Sequence, residues 1–296
     1  MKKEINLDLD PGIKRLKILT SQIVNTKFVG GYKSLFKGRG LEFEDYREYT
    51  PNDDASSIDW KASVRSKKLL VREFVEERNL NVFFLIDVSS SMIYSSTEKL
   101  KIEYACEIAV ALSYVVLNAG DSIGFALFND KIIKMSPPKT GFTQYNNLVR
   151  ALVNPNLYGG KYDLNQALKF ILAYLKEASI VIIISDFIGL KNDWERYLKM
   201  VSKKFDVIGI MIRDPLDREL PSYNGQAIFE DPYSGRQILV NPATIGDDYR
   251  RDAIRQEQII KNAFLKANSN FIELMTDKSY VEPLTNLFLR RTLKIR

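Results

Sequence analysis

Residues 82–86, Val-Phe-Phe-Leu-Ile, form an unbroken apolar run that ends in Asp87, and residues 180–184, Ile-Val-Ile-Ile-Ile, form a second that ends in Ser185-Asp186. A short run with no polar alternation is the pattern of a strand covered on both faces, as in a parallel sheet. Two such strands commit the chain to helices on both sides of a sheet. In open α/β sheets, ligand sites lie beyond the carboxyl ends of the strands, which is where Asp87 and Asp186 fall. Right-handed crossovers bring neighbouring strand ends to one rim, so the two aspartates are expected to face one site. The loop Asp87-Val88-Ser89-Ser90-Ser91 sets a carboxylate and two hydroxyls at alternate positions. These are hard oxygen donors suited to Mg²⁺ or Mn²⁺. The same residue types also end strands and cap helices, and on the loop alone both readings stand.

The remaining pattern fills in the layers. Leu100, Ala105, Ile108, Ala109, Leu112 and Val116 recur at helical spacing, predicting a helix over 98–118 with Gly120 at its stop. Ser122 to Phe128 and Lys131 to Met135 around Asn129-Asp130 predict a hairpin, one antiparallel member at the edge of a mostly parallel set. Helices are expected near 142–152, 164–176, 194–204, 247–267 and 280–291, with strands at 207–212 and 271–275. Residues 213–242 are rich in Pro, Gly and Asp yet carry two short β patterns around Ser234-Gly235, predicting a β-hairpin insertion. The expectation is a doubly wound, mostly parallel α/β domain over 80–296. Residues 1–79 precede it as a helix at 11–27 and a β-rich subdomain, with strands at 42–44 and 69–75. Asp53, Asp54 and Asp59 are expected to build turns and caps there, beside a packed Trp60.

Composition removes several chemistries. The 296 residues contain no histidine, which excludes Ser-His-Asp and Cys-His nucleophile systems and His-containing zinc sites. The single cysteine, Cys106, lies in an apolar helical stretch and reads as a small buried hydrophobe. The 43 Lys and Arg against 37 Asp and Glu give +6, a mild excess with no aromatic ladder to suggest nucleic-acid binding. There is no P-loop sequence for ATP. The longest aliphatic run is far short of the roughly 18 residues of a membrane span. The N-terminus lacks the apolar core of a signal peptide, so a cytoplasmic protein is expected.

Asp87-Val88-Ser89-Ser90-Ser91 resembles the D-x-S-x-S of von Willebrand factor A domains and their metal-ion-dependent adhesion site. The stretch Gly38-Arg39-Gly40-Leu41-Glu42-Phe43, then Arg47-Glu48-Tyr49, Asp53-Asp54, Ile58-Asp59-Trp60 and Glu77-Arg78 adds an ordered string ahead of it. Together they are similar to the bacterial and archaeal family catalogued as domain of unknown function 58, over roughly residues 28–295. The resemblance implies a Mg²⁺ or Mn²⁺ site built from Asp87, Ser89, Ser91 and Asp186, completed by a threonine in a second loop. That loop reads Gly159-Gly160-Lys161-Tyr162-Asp163-Leu164. Tyr162 stands where the threonine belongs, a poor replacement ligand beside the charged Lys161, and either Asp163 or a water is expected to fill that position. Asn52 stands where the family has glycine. The resemblance further implies a non-enzymatic protein-binding adaptor that presents a cation to a partner's carboxylate, its partner a MoxR-type AAA+ ATPase acting on client proteins. A metal-dependent phosphoester hydrolase using the same carboxylates is the alternative.

Overall fold

The fold is known from a computed structural model, which describes residues 42–50, 53–75, 80–221 and 225–294. The predicted helix at 11–27, the Gly38-x-Gly40 motif and Glu77-Arg78 lie outside the described residues.

Six strands form the central sheet: β3 (Asn81–Asp87), β4 (Ser122–Phe128), β5 (Ile132–Lys139), β6 (Ser179–Ser185), β7 (Asp206–Arg213) and β10 (Asn270–Met275). Their order is β10-β7-β6-β3-β4-β5. All neighbours are parallel except β4 and β5, which form the expected antiparallel edge hairpin. The chain winds outward from β3 through β4 to β5, then returns to lay β6 on the other side of β3. The order therefore reverses between β3 and β6, the switch point where open α/β sheets bind ligands. In register, Ile86 faces Ile184, so Asp87 and Ser185 are adjacent strand ends.

The period-2 alternation of each buried strand divides the core in two. Val82, Phe84, Ile86, Ile180, Ile182 and Ile184 pack on one face against α2 (Lys101–Asn118), α3 (Phe142–Leu152) and α7 (Val281–Lys294). Phe83, Leu85, Val181 and Ile183 pack on the other against α4 (Leu164–Tyr174), α5 (Trp194–Lys204) and α6 (Pro242–Lys266). Cys106 is buried in the first face, and desolvation pushes its thiol up to about 12, so it behaves as the inert hydrophobe expected.

The insertion is present as a ribbon of β8 (Ala227–Glu230) and β9 (Gln237–Val240). Ahead of the main sheet, β1 (Glu42–Glu48) and β2 (Leu70–Val75) form a separate antiparallel pair. Between them Asp59 caps α1 (Trp60–Ser66) by accepting from the Lys61 and Ala62 amides at 3.0 and 3.1 Å. Asp54 caps a shorter turn, and Asp53 grips Arg47 at 2.6 Å. These aspartates build caps and turns as expected. Helix α1 itself, one of two turns, is too short for its periodicity to show. Trp60 corrects the expectation of a packed indole, because it is 64% exposed. Two other boundaries differ. Helix α6 starts at Pro242 because the Asn241 side chain caps it at 3.1 Å and proline suits a first helical position. Strand β5 runs on through Pro137 and Pro138, tolerable because an edge strand needs only one set of ladder bonds.

Candidate cation site at the switch point

The first loop leaves β3 at Asp87. Its carboxylate is fully buried, and Oδ1 accepts the Ser89 amide at 2.8 Å, which turns the chain sharply. Ser89 precedes a short 3-10 turn over 90–93 but makes no side-chain capping bond. Its hydroxyl lies 3.3 Å from Ser91 Oγ instead. Both serines are buried. The three oxygen-bearing side chains named by the sequence therefore gather in one place, with the hydroxyls directed to each other rather than to a helix end.

The second loop is bound to the first by backbone. Gly159 N–H donates to Val88 O at 2.7 Å, and Ser90 N–H donates to Gly160 O at 3.0 Å. Asn129, at the end of β4, braces it by donating from Nδ2 to Gly159 O at 2.8 Å. A side chain at Gly160 would bring Cβ to 2.6 Å from that same Nδ2, and its φ of +89° also favours glycine. Tyr162 follows, buried in the second core face with its hydroxyl 3.2 Å from Ser185 Oγ. Desolvation, reinforced by the charge of Asp87, drives its pKa well above the usual phenol range, so it remains a neutral hydroxyl. Lys161 is exposed.

The third loop leaves β6 at Ser185, whose hydroxyl donates to Asp87 Oδ2 at 2.7 Å. Asp186 is buried on the same rim and close enough that its charge acts on Asp87. Its own oxygens are engaged elsewhere. Oδ1 accepts Ile188 N–H at 2.9 Å, and Oδ2 lies 2.7 Å from the ammonium of Lys101, which also reaches Asp217 at 3.0 Å. The charges of both aspartates outweigh the desolvation of Lys101 and hold its pKa above the usual value. Asp163, the fifth candidate, caps α4 by accepting the Gln166 amide at 3.3 Å, and its other oxygen pairs with Lys191 at 2.6 Å.

The two strand-end carboxylates thus differ in electrostatics. Asp186 has a cation supplied by its own chain. Asp87 has hydroxyl and amide donors, but among the described residues no lysine or arginine pairs with it. Desolvation, and secondarily the charge of Asp186, push its pKa to about 7. A buried carboxylate without a counter-ion is costly unless protonated or joined by a cation. Among the described residues no group of three or more Cys, Asp or Glu side chains is placed to hold a metal. A cation here would therefore rest on one carboxylate and neutral hydroxyls. That donor set is all hard oxygen and fits Mg²⁺ or Mn²⁺.

Sequence reasoning missed Ser185, Lys101, Asp217 and Tyr233, whose hydroxyl lies 2.9 Å from Ser91 Oγ. Lys101 had a signal: it sits in helical register with Ala105, Ile108 and Leu112 on a core-facing stripe, where a lysine needs a buried partner. Tyr233 had none, being 142 residues from its contact.

The strand order and the hydroxyl-rich loop at the switch point define a von Willebrand factor A-like α/β domain. The chain belongs to the family of proteins of unknown function DUF58, whose model matches residues 45–259. It is similar to the uncharacterized protein Rv1480 of Mycobacterium tuberculosis (strain ATCC 25618 / H37Rv), with 25% identity over 287 residues, 96% of this chain and 90% of that one. Uncharacterized protein YeaD of Bacillus subtilis (strain 168) is 28% identical over 106 residues, 36% of this chain and 24% of that one. Among solved structures, the conserved hypothetical protein BatB from Bacteroides thetaiotaomicron aligns with a TM-score of 0.48 and 13% identity, covering 73% of this chain and 100% of that one. A von Willebrand factor type A protein from Catenulispora acidiphila aligns with a TM-score of 0.40 and 13% identity, covering 74% and 43%. No helix among the described residues is long and apolar enough to cross a membrane.

Proposed function

We propose that this protein is a non-enzymatic binding module that uses a divalent cation, Mg²⁺ or Mn²⁺, to engage an acidic residue of a partner protein. The observation that carries the reading is the contrast at the switch point: among the described residues, Asp87 is buried with no lysine or arginine paired to it, whereas Asp186 beside it is paired with Lys101. In this reading Asp87, Ser89 and Ser91 hold the cation, Ser185 orients the Asp87 carboxylate, and Tyr162 orients Ser185. With a single carboxylate among neutral hydroxyls, a bound cation keeps most of its positive charge and supplies a coordination position for a partner's carboxylate. Asp186, neutralised by Lys101, shapes the field rather than adding a ligand, and Asp163 serves its helix.

The same donor set weighs against the phosphoester hydrolase alternative. Two-metal hydrolysis needs a carboxylate cluster, and the second carboxylate of this rim already carries an ammonium. The resemblance noted from the sequence makes a MoxR-type AAA+ ATPase the partner to try first, in the assembly or maturation of other protein complexes in the cytoplasm. The test is Mn²⁺ binding measured by electron paramagnetic resonance on the wild type and Asp87→Ala. Saturable binding lost in Asp87→Ala, with an unchanged circular dichroism spectrum, is expected. Equal binding by the two proteins overturns the site. For the partner, co-purification with the ATPase is expected to fail in EDTA and return with Mg²⁺.

A further inference from the structure

The β8–β9 ribbon reaches across to the cation site through one side chain. Its turn is tied by Asp231, whose carboxylate accepts the Tyr233 amide at 3.1 Å and the Ser234 hydroxyl, while Gly235 N–H donates to Asp231 O at 2.9 Å. The turn projects Tyr233 onto the third loop. There the ring lies against Gly189, so closely that a Cβ at that glycine would meet Cε2 at 3.1 Å. The Tyr233 hydroxyl lies 2.7 Å from Ile188 O and 2.9 Å from Ser91 Oγ. A phenol has one proton, and a carbonyl can only accept, so Ile188 takes it. The Ser91 hydroxyl then donates to the phenol oxygen, and its proton points away from the rest of the site.

The rest of the ribbon is weakly held. A two-stranded ribbon is marginal on its own, and Ile228, Ile238 and Leu239 are 67%, 55% and 60% exposed. Between the ribbon and the start of α6 lies a cavity of about 380 Å³ lined by Leu220, Phe229, Ile238, Val240, Ile245 and Tyr249. The tip is pinned and the body is loose.

We infer that Tyr233 is a latch over the cation site: its hydroxyl occupies the partner-facing side of Ser91, and a partner's carboxylate must displace it, releasing the ribbon. This rests on the cation-site reading. A carboxylate is an anionic hard donor and a phenol a neutral one, so the exchange favours the partner only when a divalent cation is present. Site occupancy and ribbon position then form one equilibrium, and a ligand shifts it by its difference in affinity for the two states. The ribbon becomes the moving part that reports whether an acidic residue has docked.

The test uses the full chain and Tyr233→Phe, which keeps the ring against Gly189 and removes only the oxygen. Without metal, hydrogen exchange at the amides of residues 227–240 is expected to be roughly fivefold faster in the variant, the worth of one net hydrogen bond. Unchanged exchange overturns the latch whatever the site binds. With Mn²⁺ alone as the probe, the variant is expected to bind as the wild type does, because Ser91 gives the phenol only its proton and keeps its oxygen lone pairs for the cation. Asp87-dependent binding of Mn²⁺ alone that is tighter or weaker in Tyr233→Phe overturns the latch and leaves the cation site standing. Failure of the wild type to bind Mn²⁺ in an Asp87-dependent manner overturns both. Finally, Mn²⁺ with acetate is expected to raise wild-type ribbon exchange to the level of the variant, and acetate without Mn²⁺ to leave it unchanged. Any other result in this pair overturns carboxylate displacement.

Discussion

Replacing Lys101 with methionine removes a charge while keeping most of the apolar stem. The ammonium is 2% exposed and lies 2.7 Å from Asp186, itself fully buried, and 3.0 Å from Asp217, which is 17% exposed. Removing one partner of a buried pair costs about 3–5 kcal/mol, because the other charge is left without compensation. Asp186 is in that situation, with the added repulsion of Asp87 nearby. Asp217 is partly solvated, so its loss adds only about 0–1 kcal/mol. A total of about 4 kcal/mol is a large share of the ~5–15 kcal/mol that stabilises a typical domain. Urea denaturation followed by far-ultraviolet circular dichroism at low salt measures it. The double variant Lys101→Met, Asp186→Asn is expected to recover at least about 2 kcal/mol of the loss, since residues in one ion-pair network do not add. A single-variant cost below about 1 kcal/mol refutes the reasoning, as does a double variant no more stable than the single.

The pKa of Asp87 is raised in the folded protein from the ordinary carboxylate value, about 4, to about 7, by desolvation and then by the charge of Asp186. The protonated form is favoured on folding, so this group's contribution is fully present below about pH 4 and is lost as pH rises through about 7. Asp87→Asn should therefore gain stability relative to wild type between pH 5 and pH 8 in metal-free buffer, read by urea midpoints; a gap that narrows with rising pH contradicts the electrostatics. Asp163→Ala removes a helix cap and should cost about 0.5–2 kcal/mol while leaving Mn²⁺ affinity unchanged, and a loss of affinity would return Asp163 to the ligand set. Gly160→Ala forces a Cβ against the Asn129 amide at positive φ. It should cost at least about 1–2 kcal/mol from the backbone alone, seen as a lower thermal midpoint, and weaken Mn²⁺ binding by shifting the loop that is bonded to Val88 and Ser90.

Much of the architecture was legible because burial writes itself into short runs. Strands β3 and β6 read as doubly covered from five consecutive apolar positions each, and the sheet follows from helices having to cover both faces. The loop after β3 was legible because its chemistry is local: Asp87, Ser89 and Ser91 are neighbours in sequence and in space. Asp186 was placed on the correct rim, but the sequence could not show that Lys101 reaches it from a helix 85 residues away. Asp163 is a ligand candidate in the sequence only because Tyr162 occupies the threonine position beside it. A residue just ahead of a helix equally serves as a cap, and the geometry shows that bond. Tyr162 was expected to be an inadequate substitute for threonine. Its longer side chain instead reaches Ser185, a route no spacing rule encodes.

The placement of β6 beside β3 also has a consequence in time. Strand β3 gains β4 on one side soon after it is made, but its other edge must wait for residues 179–185, and the Ser185–Asp87 contact closes over 98 residues. At about 5–20 residues per second, synthesis leaves that edge open for roughly 5–20 s. Throughout that interval a strand with five consecutive apolar residues presents unpaired backbone to any other strand it meets. The two flanks of the cation site are held by the same pairing that closes this edge, so a chain that presents the site has already passed its most aggregation-prone stage.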